Sequence, residues 1–516
     1  MIKNTFVGLI VVLLAGCSAS HVERQLTPSA SFSKYSKNRI AELKATSPFL
    51  KAHMKNGNLY IFQSWDTEGN GSTITGQGVL LDPGRDTLAR GQTTLGLDSV
   101  AILETNVIKN SGAATALTVF TGITAAVTVL CITNPKACFG SCPTFYVSDG
   151  DSLRLQAEGF SSSISPSLEA TDVDALSHAQ ARNGEVTVEM KNEALETHVV
   201  RHLDILAVPR RQGSRVFYGS DQQFWESTRL LSPVDARARE GDCLPALLNF
   251  DGDERFSRAD EGYLAAKETV DVRFRIHRGR AYGLVIGCRQ SLLPTYLLYQ
   301  AYAYMGHDAG HWLAEIERKN LREQRGSVEE SIGGIEAIVQ QADGQWQSAG
   351  EVNEHGPLAV DVHLLPLPQL SDTTVNIQLR MTKGAWRTDY VALAELSKPV
   401  LPIRVHPYSV LKEGKEDPEA YAKLLDSTQH LITFPGDAYA LRYALSADSS
   451  NYELFLESCG YYLEWIRKEW IEEQNPFLLA QMFLDPENAL KRLAPQFKRV
   501  EPSMEDCFWR SRYAKP

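Results

Sequence analysis

Short apolar runs separated by turn residues dominate the chain soon after its N-terminus. Segments such as LYIFQSW, STITGQGVLLD and DSVAILETN are rich in β-branched residues and are bounded by Gly, Asp or Pro, the pattern of strands joined by turns. They predict a small all-β unit over residues 46–110. Further along, CPTFYVSDGDSLRLQAEG has the strand–turn–strand form of a hairpin. It opens a β-rich domain that we predict over residues 135–291.

The hydrophobic period changes at Leu292. From there to Arg325 the apolar residues lie three and four positions apart, and the segment ends in charged residues. This spacing predicts a helix over residues 292–326. Gly306 and Gly310 fall in its middle, where glycine weakens a helix.

The last two predicted regions are a β-rich domain and a mixed one. Regularly spaced strand-like runs with Gly and Pro turns predict a β-sandwich-like domain over residues 327–400. In residues 401–516 we predict a helix in PEAYAKLLDSTQHL, strands in DAYALRYAL and YELFLES, and an aromatic-rich helix in GYYLEWIRKEWIEEQ. A further helix caps the C-terminus. The fold class that follows is α+β, predominantly β, with β-sandwich-like units and helical insertions, and 516 residues are too many for one core.

The first seventeen residues have the layout of an export signal. Lys3 supplies a positive charge, residues 6–14 (FVGLIVVLL) form an apolar run too short to span a bilayer, and Leu14-Ala15-Gly16-Cys17 follows. This ending resembles the lipobox of a bacterial lipoprotein signal peptide. The resemblance implies that residues 1–16 are removed and that Cys17 becomes the acylated N-terminus.

The residues after Cys17 extend this interpretation. By resemblance to lipoprotein sorting, Ser18 favours the outer membrane, with the protein facing the periplasm or the cell surface. Residues 17–45 begin with a polar, Ser-rich stretch without an apolar period, from which we predict a flexible tether. Several acyl chains suffice for stable attachment, so the predicted partner of Cys17 is the lipid bilayer.

A second apolar segment, residues 111–134, breaks the strand pattern. Residues 113–133 (AATALTVFTGITAAVTVLCIT) carry no charge and are about as long as a bilayer is thick. One interpretation is a membrane-inserted or membrane-lying helix. The other, favoured by its six threonines and by an outer-membrane destination, is a helix or hairpin buried against the neighbouring β units.

The net negative charge of the chain restricts the classes of partner that we predict. The formal charge is −11, and removal of residues 1–16 takes away Lys3 and no acid, giving −12. An acidic balance disfavours a nucleic-acid role, which needs a basic patch, so no nucleic-acid partner is predicted. The chain is equally unsuited to electrostatic docking on anionic lipid. The acyl group alone is expected to hold it at the membrane.

Export also changes the interpretation of the cysteines. Seven remain besides Cys17, and disulfides are the expectation in an oxidising compartment. An odd number leaves at least one thiol unbridged. Cys138 and Cys142 are the nearest pair, with Cys131 the alternative partner. Cys138-Phe-Gly-Ser-Cys142-Pro143 resembles the CxxxCP motif of copper-delivering assembly proteins, but it precedes a hairpin here, so a structural disulfide is the favoured interpretation.

One histidine pair has the spacing of metal ligands. His307 and His311 lie at i and i+4 on the predicted helix, where one face can offer two nitrogens to zinc, and Glu315 follows one turn later. Asp308 stands where a zincin would have its catalytic Glu, so surface histidines are the stronger interpretation. No cofactor is predicted.

Three hypotheses for function follow. SCPTFY with Asp149 and Gly150, LRMTKGAWRTDY and GYYLEWIRKEW resemble, loosely, a group of envelope lipoproteins, which implies architecture and no catalytic residues. The first hypothesis is a structural or interaction protein with an envelope protein as partner. The second is a ligand- or glycan-binding module centred on residues 328–400, in which Trp386 is interpreted as core. The third is a metal-dependent enzyme, and the absence of the linear catalytic motifs leaves it the weakest.

Overall fold

The structure is a computed structural model, and it describes most of the chain. The described residues are 19–47, 50–54, 58–68, 72–81, 87–111, 142–148, 152–164, 166–181, 184–309, 331–353, 356–445, 451–465, 470 and 473–510. They divide into two compact units. The first contains Met1–Thr133, Tyr302–Glu315 and Ile466–Pro476, and the second contains the rest.

The first unit is built on one antiparallel sheet, sheet A, of strand order β1-β6-β2-β3-β4-β5. Phe32, Phe62 and Trp65 lie in its apolar core, and Phe62 is fully buried. Alternating burial along β2 matches a sheet with one face on a core. The elements are β1 (Ala19–Pro28), α1 (Ser29–Phe32), α2 (Lys37–Thr46), β2 (Leu50–Met54), β3 (Leu59–Glu68), β4 (Thr73–Leu81), β5 (Thr87–Gly96) and β6 (Val100–Ser111).

The second unit holds the remaining strands. They are β7 (Thr144–Ser148), β8 (Leu153–Glu158), β9 (Ala170–Ala175), β10 (Glu185–Lys191), β11 (Glu196–Pro209), β12 (Arg215–Tyr218), β13 (Phe224–Leu231), β14 (Asp235–Ala238), β15 (Gly241–Asp242), β16 (Arg255–Phe256), β17 (Lys267–Arg275), β18 (Ala281–Gln290), β19 (Ile335–Gln340), β20 (Trp346–Val352), β21 (Asp361–Pro366), β22 (Thr374–Thr382), β23 (Trp386–Val400), β24 (Ile403–Val405), β25 (Ser409–Lys412), β26 (Lys415–Glu416), β27 (Leu431–Thr433), β28 (Ala438–Ala444) and β29 (Tyr452–Glu464). The other α-helices in the described part of the chain are α3 (Leu292–Met305), α4 (Pro418–Leu425), α5 (Pro476–Leu484) and α6 (Pro486–Arg510).

Four antiparallel sheets organise these strands into two layered pairs. Sheet B has the order β26-β25-β28-β10-β7-β8, and sheet C has β24-β11-β29-β9 with β27 also on β11. One core contains apolar residues from both, such as Val188 and Ile205. Sheet D (β12-β13-β23-β18-β21, with β16 on β23) and sheet E (β15-β14-β17-β22-β19-β20) share a second core, to which α6 adds Leu493 and Phe497. The prediction of a predominantly β α+β fold with sandwich-like units is confirmed.

Sheet pairing does not follow the predicted domain boundaries. β10 and β11, from the predicted 135–291 domain, pair with β28 and β29 of the 401–516 region. β18 likewise pairs along its length with β23, across the predicted helix at 292–326. The long-range pairing of antiparallel strands leaves no local trace in the pattern of apolar residues. The two layered pairs are therefore assembled from distant parts of the sequence.

Two predicted helices differ from the structure where it describes them. In the helix predicted over residues 292–326, α3 ends at Met305 and a 3-10 turn follows at Gly306–Asp308, because Gly306 takes the left-handed φ of +53° that commonly stops a helix. Residues 310–326 of that prediction lie outside the described part of the chain. The predicted aromatic-rich helix that starts at Gly460 is instead strand β29 as far as Glu464. There the pairing with β11, which buries Tyr461 and Tyr462, overrides the helical spacing.

The predicted tether at residues 17–45 is also more ordered than its composition suggests. Ala19–Pro28 pairs residue by residue with β6, from Ala19 opposite Ser111 to Pro28 opposite Ile102. Helix α2 follows, and Ser36 caps it by accepting a hydrogen bond from the Arg39 amide at 3.2 Å. Most of this region therefore belongs to the first unit.

The turn between β22 and β23 depends on a glycine. Gly384 has a φ of +77°, and a Cβ there would lie 2.4 Å from the backbone nitrogen of Ala259. Gly344, in the β19–β20 turn, has a similar φ of +83° but open space around it. We expect Gly384→Ala to lower the unfolding free energy by about 2 kcal/mol or more, and Gly344→Ala by about 1 kcal/mol, the left-handed penalty alone. Urea unfolding of both variants checks this, and equal losses would contradict it.

Candidate functional site

Most of the site residues predicted from sequence lie outside the described part of the chain. These are Cys17, Cys131, Cys138, His311 and Glu315, together with residues 113–133. The lipobox, the metal site and the disulfide involving Cys131 or Cys138 therefore stay predictions. Among the described helices, none is both long enough and apolar enough to cross a bilayer.

Cys142 and His307 are the two predicted site residues that the structure describes. Cys142 is buried next to the start of β7. His307 lies in the 3-10 turn after α3, so helix α3 itself does not carry the histidine pair. Of the other cysteines, Cys243, Cys288, Cys459 and Cys507 are unbridged. Burial raises the pKa of the Cys288 thiol well above its usual value, which makes it unreactive.

A cluster of charged side chains lies on one face of sheet C. Its members come from three neighbouring strands: β11, β29 and the edge strand β24 with the residue that follows it. Asp204 of β11 lies directly opposite Glu457 of β29, and His202 lies opposite Cys459. We call the set of five the sheet C cluster: His202, Asp204, Arg404, His406 and Glu457.

A β-bulge separates His202, which belongs to this cluster, from His198 on the same strand. The pairing of β11 with β29 shifts between Val200 and His202, so that His198 is opposite Tyr462 while His202 is opposite Cys459. Cys459 and Tyr462 are three positions apart, which puts their partners on opposite faces of the sheet. Plain alternation along one strand places residues four positions apart on the same face, and the bulge separates His198 and His202 instead.

Short polar contacts connect the cluster. His202 Nε2 is 3.0 Å from Glu457 Oε1, and His406 Nδ1 is 2.8 Å from Asp204 Oδ1. Arg404 bridges the two acids, donating from Nη1 to Asp204 Oδ2 at 2.9 Å and from Nη2 to Glu457 Oε2 at 2.9 Å. A second hydrogen bond joins Arg404 Nη1 to Glu457 Oε1.

The electrostatics of the cluster are set by burial and by Arg404. Burial raises the pKa of the Glu457 carboxyl, but the hydrogen bond and charge of Arg404 outweigh it and hold the pKa below its usual value. The same hydrogen bond raises the pKa of Arg404. The side chain of Asp204 is 3% exposed and that of Glu457 is 11% exposed, whereas that of Arg404 is 45% exposed. Two shielded anions therefore share one cation that reaches solvent.

A second group of acidic residues lies on the other face of sheet C, at Asp172 and Asp174 of strand β9, with Asp361 close to them. Burial, together with the negative charge of Asp361, raises the pKa of Asp172 to about 6. The same causes raise the pKa of Asp174 well above its usual value. Among the described residues, Asp174 Oδ2 has no hydrogen-bond partner. Asp361 and the neighbouring Glu158 accept backbone hydrogen bonds, from Ala175 at 3.4 Å and from Ala359 at 2.9 Å.

The free edge of sheet A is a third candidate. Strand β5 pairs over its length with β4, and among the described strands nothing pairs with its other side. It contains no proline and one charged residue, Arg90. Leu88 is 55% exposed. A long edge strand of this kind presents a row of unpaired backbone groups that another chain can pair with.

In the predicted glycan-binding region, the side chain of Trp386 is buried. This side chain is 1% exposed and belongs to the core shared by sheets D and E. The interpretation of Trp386 as core is confirmed.

Comparison with known proteins adds little. No protein-family model matches the chain, and no curated protein matches it. A solved structure that does match is the GH31 alpha-xylosidase of Xanthomonas citri, with 7% sequence identity over 86% of this chain and 38% of that enzyme. The TM-score is 0.13, so the likeness carries no argument about fold or activity.

Proposed function

We propose that this chain is a lipid-anchored envelope protein that binds another envelope protein through the β5 edge of sheet A. Cys17, acylated, holds it in the outer membrane, and the first unit carries the contact. The observation that carries the proposal is the ten-residue strand β5, which is paired on one side only among the described strands.

Strand addition is the mode of binding that suits this edge. An extended segment of the partner adds to β5 through main-chain hydrogen bonds, and its alternate side chains meet the side chains of β5. The exposed side chains include Gln92 and Thr94. Thr94 is held against β4, because its hydroxyl lies 2.9 Å from that of Thr75. The edge is thus fixed in position before the partner arrives.

The other edge of the sheet is less suited to a partner. Strand β1 begins at Ala19, two residues after Cys17. Two residues reach about 7 Å when extended, so an acylated Cys17 keeps this edge close to the lipid surface. Strand β5 lies at the far end of the sheet, five strands from β1 in the order of pairing.

A pair of glutamines provides the test of this surface. Gln92 on β5 and Gln77 on β4 are cross-strand partners, and both are exposed. A lysine on an edge strand opposes the addition of another strand. A lysine on β4, which is already paired on both sides, does not. We expect Gln92→Lys to reduce partner recovery after mild in vivo crosslinking by about tenfold, equivalent to about 1.4 kcal/mol, and Gln77→Lys to leave it unchanged. Equal recovery from both variants would contradict the proposal.

A further inference from the structure

We propose that His202, Asp204 and Glu457 form a binding site for a divalent transition-metal ion of the zinc type, in which Arg404 occupies the cation position when no metal is bound. The site lies in the second unit, on sheet C, and is separate from the β5 edge. It is therefore a further property of the chain, independent of the proposed function.

The geometry supplies three ligands from the two central strands of the sheet. One ligand atom from each of the three side chains lies within 4.8 Å of the others. Zinc bonds to nitrogen and oxygen are about 2.0–2.1 Å long and tetrahedral, which requires ligand atoms about 3.4 Å apart. Side-chain rotation of His202 and Glu457 supplies the closing movement, while the paired backbones of β11 and β29 stay in place.

The charge of the cluster favours a doubly charged ion. With neutral imidazoles, Asp204, Glu457 and Arg404 together carry one net negative charge. A divalent ion in place of the guanidinium brings the site to neutrality. Buried carboxylates need such compensation, because a shielded charge without a partner is costly. Asp204 and Glu457 are 3% and 11% exposed and cannot turn to solvent. The metal ion therefore enters by replacing the guanidinium of Arg404.

Arg404 is placed to make that exchange. It lies on β24, a strand of three residues at the edge of sheet C, and its side chain is 45% exposed. Its guanidinium can therefore turn into water as the metal enters. His406, which contacts Asp204 through Nδ1 and is 60% exposed, is available as a fourth ligand. A site of imidazole and carboxylate groups suits zinc and its neighbours better than calcium or magnesium.

Zinc binding to the untagged full-length protein in detergent tests the site. Equilibrium dialysis at pH 7.5 is expected to give one zinc ion per chain, and Co²⁺ in its place is expected to give the visible absorption of a tetrahedral site. His202→Ala and Glu457→Gln each weaken zinc binding by about thirtyfold or more, the order expected for loss of a metal-site group. Arg404→Gln tightens it by about tenfold because the competing cation is gone. The control His277→Ala removes an exposed histidine that contacts Arg229 and leaves zinc binding unchanged.

A double variant keeps the test decisive if Glu457→Gln fails to fold. Arg404→Gln with Glu457→Gln removes one of the two anions together with the cation that they share, and Asp204 keeps its contact with His406. This variant is expected to lack the tightened zinc binding of Arg404→Gln alone. The proposal is overturned by zinc binding that persists in His202→Ala and in the double variant. It is also overturned if the native chain binds no stoichiometric zinc, even where Arg404→Gln binds it.

Discussion

Replacement of Cys17 by alanine is expected to release the protein from the membrane. The thioether-linked and amide-linked acyl chains of a lipoprotein both require this cysteine, and each buried CH₂ contributes about 0.8 kcal/mol of membrane affinity. The acidic chain, with a net charge of −11, has no electrostatic attraction to anionic lipid that would replace them. Fractionation and fatty-acid labelling of Cys17→Ala should therefore show no label and a shift from the membrane to the soluble fraction.

A second cysteine serves as the control. Cys507 lies on α6 and is unbridged, so Cys507→Ala should keep both the label and the membrane attachment. Alkaline carbonate extraction of Cys17→Ala also separates the two interpretations of residues 113–133. Release at high pH contradicts a membrane-inserted helix there, and retention in the membrane contradicts the account in which the acyl group is the anchor.

Neutralising Asp174 is expected to stabilise the protein at alkaline pH. Its carboxylate is buried beside Asp361 and Asp172, and among the described residues its Oδ2 has no hydrogen-bond partner. Asparagine has nearly the same shape and no charge, so Asp174→Asn removes the repulsion without leaving a cavity. We expect the unfolding free energy at pH 8 to rise by about 2 kcal/mol, within the range seen when poorly compensated buried charges are replaced.

The pH dependence follows from the raised pKa values of the two aspartates. In the folded state, burial and the charge of Asp361 raise the pKa of Asp174 well above its usual value, and they raise the pKa of Asp172 from 3.8 to about 6. The folded chain therefore binds more protons than the unfolded chain between about pH 4 and pH 6. Stability from this group is present below that interval and is lost as the pH rises through it. Asp174→Asn should accordingly change stability at pH 8 and have little effect at pH 4.

Thermal denaturation of Asp174→Asn at both pH values measures this difference. Asp372→Asn is the matched control, because Asp372 is exposed in the turn before β22. Surface changes of this kind stay within about 0.5 kcal/mol. Two results would contradict the prediction: a lower unfolding temperature for Asp174→Asn than for the native chain at pH 8, or an equal change in that temperature at pH 4 and pH 8. Either would show that interactions in the folded chain compensate the charge of Asp174.

Local pattern was sufficient to predict the class of fold and many of its elements. The strands β7 and β8 and the C-terminal helix α6 lie where apolar spacing and turn residues place them. The errors occur where a distant partner decides the local structure. Residues 460–464 have helical spacing but pair with β11, and Ala19–Pro28 has tether-like composition but pairs with β6. Such pairings depend on chain segments more than seventy residues away, which no window of sequence contains.

The sheet C cluster could not be predicted from the sequence for a similar reason. His202 and Asp204 alternate on one strand, a pattern that sequence contains, but Glu457 and Arg404 arrive from two other strands. The bulge between Val200 and His202 places His198 on the other face of the sheet, so alternation along β11 does not show which histidine belongs to the cluster. The histidine pair at 307 and 311 has the more recognisable linear spacing. In the sheet C cluster, by contrast, strand pairing brings ligand atoms of His202, Asp204 and Glu457 within 4.8 Å of one another.

Site-specific photo-crosslinking in cells tests the central claim most directly. A photoreactive residue at position 92 of the membrane-bound protein lies on the β5 edge, and one at position 77 lies one strand further in. We predict a discrete crosslinked product with one envelope protein from position 92, identified by mass spectrometry, and none from position 77. No product from position 92, or the same products from both positions, would contradict an envelope protein that binds its partner through this edge.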